Sequence, residues 1–258
     1  MNCFCECEFR EACEGGGDKV FVTNKSSVFV ANGRTGEILQ RILVENDEEA
    51  AGPLAVDGDD LYVVTKTGGV YVYSMSGLVI KRRFGDCEAF QRGSGIVVGR
   101  DDVYVADGEQ NRLVVFQKET GHFDRVLLGG GCAFVCHPTS IALYKNRFLI
   151  VAEMCNSRIQ VLDITQKKDR LILVLDGFLN VSSVVVNPTN GVVYASLYSL
   201  RQIRKFQLLV NEEDESLVCH VQARTRQLDC SPRSLFLSCG DTKLGIVTNT
   251  RLCFLDMF

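Results

Sequence analysis

Between Asp102 and Phe116 the chain reads DVYVADGEQNRLVVF, and between Phe148 and Leu162 it reads FLIVAEMCNSRIQVL. Each stretch holds a short apolar run, an acid, a polar turn with Asn and Arg, and a second apolar run. The runs Val103–Val105 and Leu113–Phe116 are β-branched or aromatic and apolar on both faces. Such runs, bounded by turn residues, predict strands packed between two layers rather than helices. Gly108, Asn111, Asn156 and Ser157 supply the turn chemistry. One hairpin is thus used twice, about 46 residues apart, and a period of this length marks a solenoid or a propeller.

Paler copies of the hairpin flank these two. Val20–Val22 with Val28–Val30 and Leu61–Val64 with Val70–Tyr73 lie upstream; Val192–Ala195 with Ile203–Leu209 and Leu244–Val247 with Leu252–Leu255 lie downstream. An apolar run precedes most hairpins, as at Pro53–Val56, Gly95–Val98, Pro138–Leu143, Val181–Val186 and Pro232–Leu237. Another run follows, as at Glu37–Val44, Gly77–Phe84, His122–Leu128, Arg170–Leu175 and Leu217–Val221. A lone hairpin cannot bury both faces, whereas four antiparallel strands repeated radially can, as propeller blades. The expected fold is therefore all-β, a six-bladed β-propeller of four-stranded antiparallel blades. All 258 residues form one domain, with blades at about 18–44, 51–84, 93–128, 137–175, 181–221 and 231–258.

Residues 1–17 are left as a closing strand or tail. Blade 1 then starts at its second strand near Lys19, and blade 6 ends after its third at Phe258. The run Cys3–Phe9 can fill one vacancy, and the outer edge of blade 6 suits it because Glu6 and Glu8 would face water there. The other vacancy implies a degenerate first blade or a chain lacking residues upstream.

The segment from His137 to Asp163 resembles the NHL repeat. Proline precedes its first strand, an acid follows the second, and Asn-x-Arg-Ile precedes the third, through His137, Pro138, Ile141, Ala142, Val151, Glu153, Asn156, Arg158 and Ile159. Blade 3 matches through Asp107, Arg112 and Leu113, with Gln110 where Asn is usual. Blade 5 keeps Asn187, Pro188, Val193, Tyr194 and Arg201 but lacks the acid. Absence of tryptophan argues against Trp-Asp repeat propellers. The resemblance implies a propeller that binds proteins or, in some members, RNA.

Apolar content of 46% suits a globular chain, and a net charge of −4 argues against a generic nucleic-acid binder. The first residues lack the pattern of a secretion signal, and no apolar stretch has the length of a membrane span. With twelve cysteines this points to a reducing compartment, a cytoplasmic location and no membrane partner.

Candidate chemistry is sparse. Cys3, Cys5, Cys7 and Cys13 lack the paired spacing of structural zinc, and Cys132 with Cys136 has no second pair nearby. Amidating-lyase propellers, which resemble NHL propellers, hold zinc with several histidines. Here His122, His137 and His220 fall on different parts of the blades and are not expected to converge. Lactonase-type propellers use Glu, Asn and Asp around the channel, for which Glu153, Asn187 and Asp107 are the candidates. Asp107 and Glu153 are better read as exposed partners of Arg112 and Arg158 that shape their own turns, each pair contributing about 0–1 kcal/mol. No nucleophile elbow or phosphate-binding loop occurs. No catalytic residue, metal or cofactor is therefore expected, and a metal-dependent channel hydrolase or lyase is the alternative.

Charge is more informative. Arg201, Arg224, Arg226, Arg233 and Arg251, with Lys25 from blade 1, are expected in loops at one end, opposed locally by Asp176 and Asp229. Glu45, Asp47, Glu48, Glu49, Asp86 and Glu88 gather on the other half of that end, and Glu212–Glu215 fall on the opposite end. A polarised face of this kind would steer an anionic partner onto blades 5 and 6. The expected function is a monomeric, non-catalytic scaffold for a protein partner, with RNA as the other candidate. Tyr198 is the one clear aromatic beside the basic residues for stacking a base.

Overall fold

The computed structural model describes residues 11–15, 19–24, 27–35, 37–43, 52–65, 68–86, 88–127, 135–165, 170–211, 216–238, 243–248 and 251–257. They form six antiparallel sheets set around an axis, and no helix occurs among them. Blade 1 holds β1 (Glu11–Glu14), β2 (Lys19–Thr23), β3 (Ser27–Asn32) and β4 (Ile38–Leu43). Blade 2 holds β5 (Leu54–Asp57), β6 (Asp60–Val64), β7 (Val70–Ser74) and β8 (Ile80–Phe84). Blade 3 holds β9 (Gly93–Val98), β10 (Asp102–Asp107), β11 (Arg112–Gln117) and β12 (Phe123–Leu127). Blade 4 holds β13 (Pro138–Tyr144), β14 (Phe148–Glu153), β15 (Arg158–Asp163) and β16 (Arg170–Asp176). Blade 5 holds β17 (Val181–Val186), β18 (Val192–Leu197), β19 (Gln202–Val210) and β20 (Leu217–Gln227). Blade 6 shows β21 (Ser234–Ser238), β22 (Lys243–Val247) and β23 (Leu252–Asp256). The chain is a six-bladed β-propeller.

The two-sided apolar runs account for this arrangement. In β7 and β14 every residue is buried, because each middle strand packs against a neighbouring blade on both faces. Outer strands such as β8 and β16 are mostly exposed or half-buried. The core is consequently six inter-blade layers. Tyr104, Leu113 and Val115 of blade 3 meet Ile141, Leu149 and Val151 of blade 4 in one of them. Burying a side chain of this size is worth about 1.5–3 kcal/mol. Ala12, Val20, Val22 and Phe29 of blade 1 meet Phe236, Val247 and Leu252 of blade 6 in the layer that closes the ring.

Two expectations change. Blade 1 does not begin at its second strand: Glu11–Glu14 is its inner strand, with Ala12 opposite Val22 and Cys13 opposite Phe21. Its alternation places Ala12 in the layer against blade 6 and Cys13 against blade 2. Four residues with two acids give no periodic signal, so only the ring reveals the strand. The outer strand of blade 5 also runs on to Gln227 rather than ending near Val221. It follows the nine-residue β19, across a bulge between Lys205 and Gln207. The proposed closing run Cys3–Phe9 lies outside the described residues.

Candidate functional site at the upper mouth of the channel

Each blade runs from an inner strand at the axis to an outer strand at the rim. The turn between its second and third strands therefore shares an end with the crossing to the next blade. This is the upper end. As expected, the hairpins of blades 3 and 4 place their turns there equivalently, with Asp107 opposite Arg112 and Glu153 opposite Arg158.

The two carboxylates do more than shape a turn, and they are not exposed: Asp107 and Glu153 both have 0% exposure. Glu153 accepts hydrogen bonds from Arg158 Nε at 3.0 Å, from Asn156 Nδ2 at 2.6 Å and from the Cys136 amide at 2.9 Å. Asp107 accepts from Arg112 Nε at 3.3 Å and from the amides of Gln91 and Arg92 at 3.2 and 3.4 Å. Each acid thus fastens its turn to the crossing segment that enters the same blade. Removing one member of such a buried pair leaves a charge unpaired, which costs about 3–5 kcal/mol. These acids are committed to the architecture and are not arranged as ligands for a channel metal. Asn187 serves its own turn, its Oδ1 accepting from the amides of Thr189 and Asn190.

A second device repeats at the axis. The inner strands of blades 3, 4 and 5 each carry a bulge, at Ser94, Thr139 and Ser182. Ser94 Oγ donates to the carbonyl of Pro138 in the next blade. Thr139 Oγ1 donates to Val181 O at 3.0 Å, and Ser182 Oγ to Pro232 O at 2.9 Å. One residue further on, Ser140 accepts from the Val184 amide at 3.2 Å and Ser183 from the Leu235 amide at 3.1 Å. Blade 3 has Gly95 at that position, where an added Cβ would lie 3.0 Å from the Ile141 nitrogen. Short hydroxyls therefore lace the inner strands together.

In blade 6 the same register position is Arg233, directly before Ser234 as Thr139 is before Ser140. Its amide donates to Val247 O at 2.7 Å, which continues the strand pairing. Its side chain is half-buried and, among the described residues, has no ion pair. It lines a cavity of about 430 Å³ at the upper mouth, together with Ser94, Thr139 and Ser182. Met154 and Tyr198 form the wall between. They occupy one position of the upper turn, directly after Glu153 and Leu197, where blade 3 has Gly108. Asn180 completes this side, its Nδ2 donating to Ser199 Oγ at 2.9 Å. Arg92 stands on the opposite blade and pairs with Glu109 at 3.1 Å. Among the described residues no acid lines the cavity. The mouth grades from a cation on blade 6, through an aromatic ring on blade 5, to a thioether on blade 4.

The five expected arginines do not form one crescent. Arg201 is exposed in the upper turn of blade 5, with φ at 52°. Arg224 and Arg226 lie in the outer strand β20, opposite Lys205 and Ile203, rather than in a crossing loop. The backbone pairing of β20 with β19 carries them to the rim. Arg251 is exposed in the upper turn of blade 6, held by Thr248 Oγ1 through its amide at 2.9 Å. Among the described ones Arg233 alone lines the mouth cavity, and Lys25 lies outside the described residues. So do Glu45, Asp47, Glu48, Glu49 and Glu212–Glu215, while Asp86 caps its own loop through the Glu88 and Ala89 amides. Sequence reasoning named Arg233 and Tyr198 but missed Met154, Asn180 and Ser182. Aligning Pro-Thr-Ser of blade 4 with Pro-Arg-Ser of blade 6 carries the signal for the mouth.

The histidines stay apart, as expected. His122 follows the lower turn of blade 3, His137 heads blade 4 on the upper side, and His220 is exposed in β20. No group of three or more metal-ligating side chains occurs among the described residues. Cys3, Cys5, Cys7 and Cys132 lie outside them. A larger cavity of about 820 Å³ opens at the lower end between blades 2 and 3. Three of its four basic residues are engaged there, Lys118 with Asp57, Arg125 with Asp102 and Asp124, and Arg82 with the carbonyls of Lys118 and Glu119, while the fourth, Arg100, is exposed. No helix among the described residues is long and apolar enough to cross a membrane.

No family model matches the chain, and no curated protein is similar to it in sequence. Solved structures are similar in fold. The hydrazine synthase of Kuenenia stuttgartiensis superposes with a TM-score of 0.68 at 14% identity, over 98% of this chain and 97% of that one. The β-propeller domain of Cps50 (Swd1) from Myceliophteria thermophila gives 0.68 at 12% identity, over 100% and 99%. U3-55K gives 0.68 at 12% identity, over 98% and 96%. At these identities the likeness shows the propeller fold alone.

Proposed function

We propose that this chain is a non-catalytic interaction module that holds a protein partner on its upper face. The observation that carries the reading is the mouth cavity, where Arg233 stands at the register of the lacing hydroxyls of blades 3, 4 and 5, and Tyr198 and Met154 stand at the turn position where blade 3 has Gly108. Blades 3, 4 and 5 hold short hydroxyls at the register of Arg233, and these lace neighbouring inner strands together. Large side chains that line an open cavity are what a recognition surface needs. The acids and histidines that could have made a catalytic centre are each engaged in turns or spread over separate blades. The NHL-like residues of blades 3 and 4 support the same class of function. RNA would need stacking platforms beside the cations, and among the described lining residues of the mouth Tyr198 is the one aromatic.

The test compares three baits in crosslinked cell extracts: the native chain, a Tyr198→Ala/Met154→Ala variant, and a lower-end Arg100→Ala/Lys145→Ala variant. Proteins captured by the native chain should fall at least about tenfold on the upper-face variant and persist on the lower-end one, since interface anchors commonly cost 1–2 kcal/mol or more. Loss on the lower-end variant with retention on the upper-face one overturns the reading. Recovery of RNA in place of protein overturns it in favour of a nucleic-acid module.

A further inference from the structure

We infer that the upper mouth recognises an extended acidic peptide, with a carboxylate side chain on Arg233 and a neighbouring apolar side chain between Tyr198 and Met154. This rests on the upper-face reading above and names the chemistry of its partner. Comparison of equivalent positions carries the inference. At the inner-strand bulge, blades 3, 4 and 5 use Ser94, Thr139 and Ser182 to donate to the carbonyl of the next blade. Arg233 stands at that register in blade 6, where a short hydroxyl would continue the lacing, and lines the cavity instead. A half-buried guanidinium in a cavity lined by no described acid is a site of positive potential, and its planar donors match a carboxylate. Blade 6 adjoins blade 5, so the cation sits beside Tyr198, and Tyr198 beside Met154.

Size and chemistry narrow the occupant. A cavity of about 430 Å³ admits side chains of an extended strand and excludes a folded element or a duplex. Thioether and phenol walls take an apolar or aromatic side chain with little specificity for its shape. Ser94, Thr139 and Ser182 are occupied as donors and Arg92 is paired with Glu109, which leaves Arg233 as the charged anchor and Asn180 with Ser199 as polar neighbours. The rim adds Arg201 and Arg226, both exposed, which would raise the encounter rate of an acidic segment rather than hold it.

Fluorescence anisotropy with defined probes tests this. One pool of Ser/Gly-framed ten-residue peptides carries a single Glu and a single Phe at variable spacing. A second pool has Gln for Glu, a third has Ser for Phe, and an oligouridylate serves as the phosphate probe. The native chain should bind the Glu/Phe pool at least about tenfold tighter than either control pool and tighter than the oligouridylate. Arg233→Ser installs the hydroxyl that blade 5 has at Ser182, so the fold is kept. It should weaken the Glu/Phe pool at least about tenfold and flatten its salt dependence, with an unchanged or raised melting temperature. Tyr198→Ala should remove the preference for Phe while leaving that for Glu. Equal binding of Glu and Gln pools, indifference to Arg233→Ser, tighter binding of the oligouridylate, or no peptide binding at all overturns the inference. If proteins are still captured through the upper face in any of these cases, the interaction-module reading survives and only its acidic grammar falls.

Discussion

Blades 4 and 5 carry the same upper turn and use it differently. Ser157 and Arg201 both sit in the left-handed region, at φ 52°. The carbonyl of each accepts from the residue that starts the next crossing, Phe178 and Leu228 respectively, at 2.8 Å. In blade 4 the turn is held from beneath by the buried Glu153, which binds Arg158, Asn156 and the Cys136 amide. In blade 5 that position is Leu197, equally buried at 0% exposure, and the arginine opposite has become Gln202. A polar staple has been exchanged for an apolar plug. Polar groups in the blade-4 turn are consumed by architecture, whereas in blade 5 Tyr198 and Arg201 are released toward the mouth and the rim. The most motif-like residues of the chain are therefore its least available ones, and the proposed recognition site lies where the repeat departs from its own pattern.

The sharpest way to break this comparison is to cut the staple. Glu153→Ala should lower the unfolding free energy by about 3–5 kcal/mol, since Arg158 is left beside a buried site without its partner. Urea denaturation reads this directly, and a loss below about 1 kcal/mol would show that the buried acid is dispensable. Transplanting the staple into blade 5 comes next. Leu197→Glu alone buries an unpaired carboxylate, and adding Gln202→Arg should recover part of the loss, with a coupling of about 1–3 kcal/mol in a double-mutant cycle. Zero coupling would mean that the two turns differ in more than this pair. The smallest effect is expected at Arg201→Asn, which places at the left-handed position the residue that blade 3 has in Asn111. Asn adopts that conformation more readily than Arg, so the melting temperature should rise slightly, by an amount equivalent to about 0.5 kcal/mol or less.

Much of the fold was legible along the chain. A strand sandwiched between two blades must be apolar on both faces, and Leu61–Val64, Val103–Ala106 and Leu149–Ala152 carry that requirement openly. Their recurrence sets the number of blades. The inner strand Glu11–Glu14 was not legible, because it is short and acidic and is defined by its fit between blades 6 and 2. The continuation of β20 through Arg224 and Arg226 was hidden for a related reason. An outer strand meets water on one face and needs no apolar run to be a strand, so its extent is set by the partner strand β19.

The candidate site divides along the same line. Local sequence determined that Arg233 and Tyr198 lie near the upper end, since strand alternation fixes which turns face which way. Whether a charged side chain there is buried or solvated, committed or available, depends on residues in other blades. Glu153 looks like a surface partner of Arg158 until the crossing segment before β13 closes over it. Arg233 looks like one basic residue among six until the ring sets it beside Tyr198 and Met154. Those three come from blades separated by about 35–45 residues of chain, and each is ordinary among its own neighbours. Ring closure, driven by burial of the six inter-blade layers, is what brings them into one mouth.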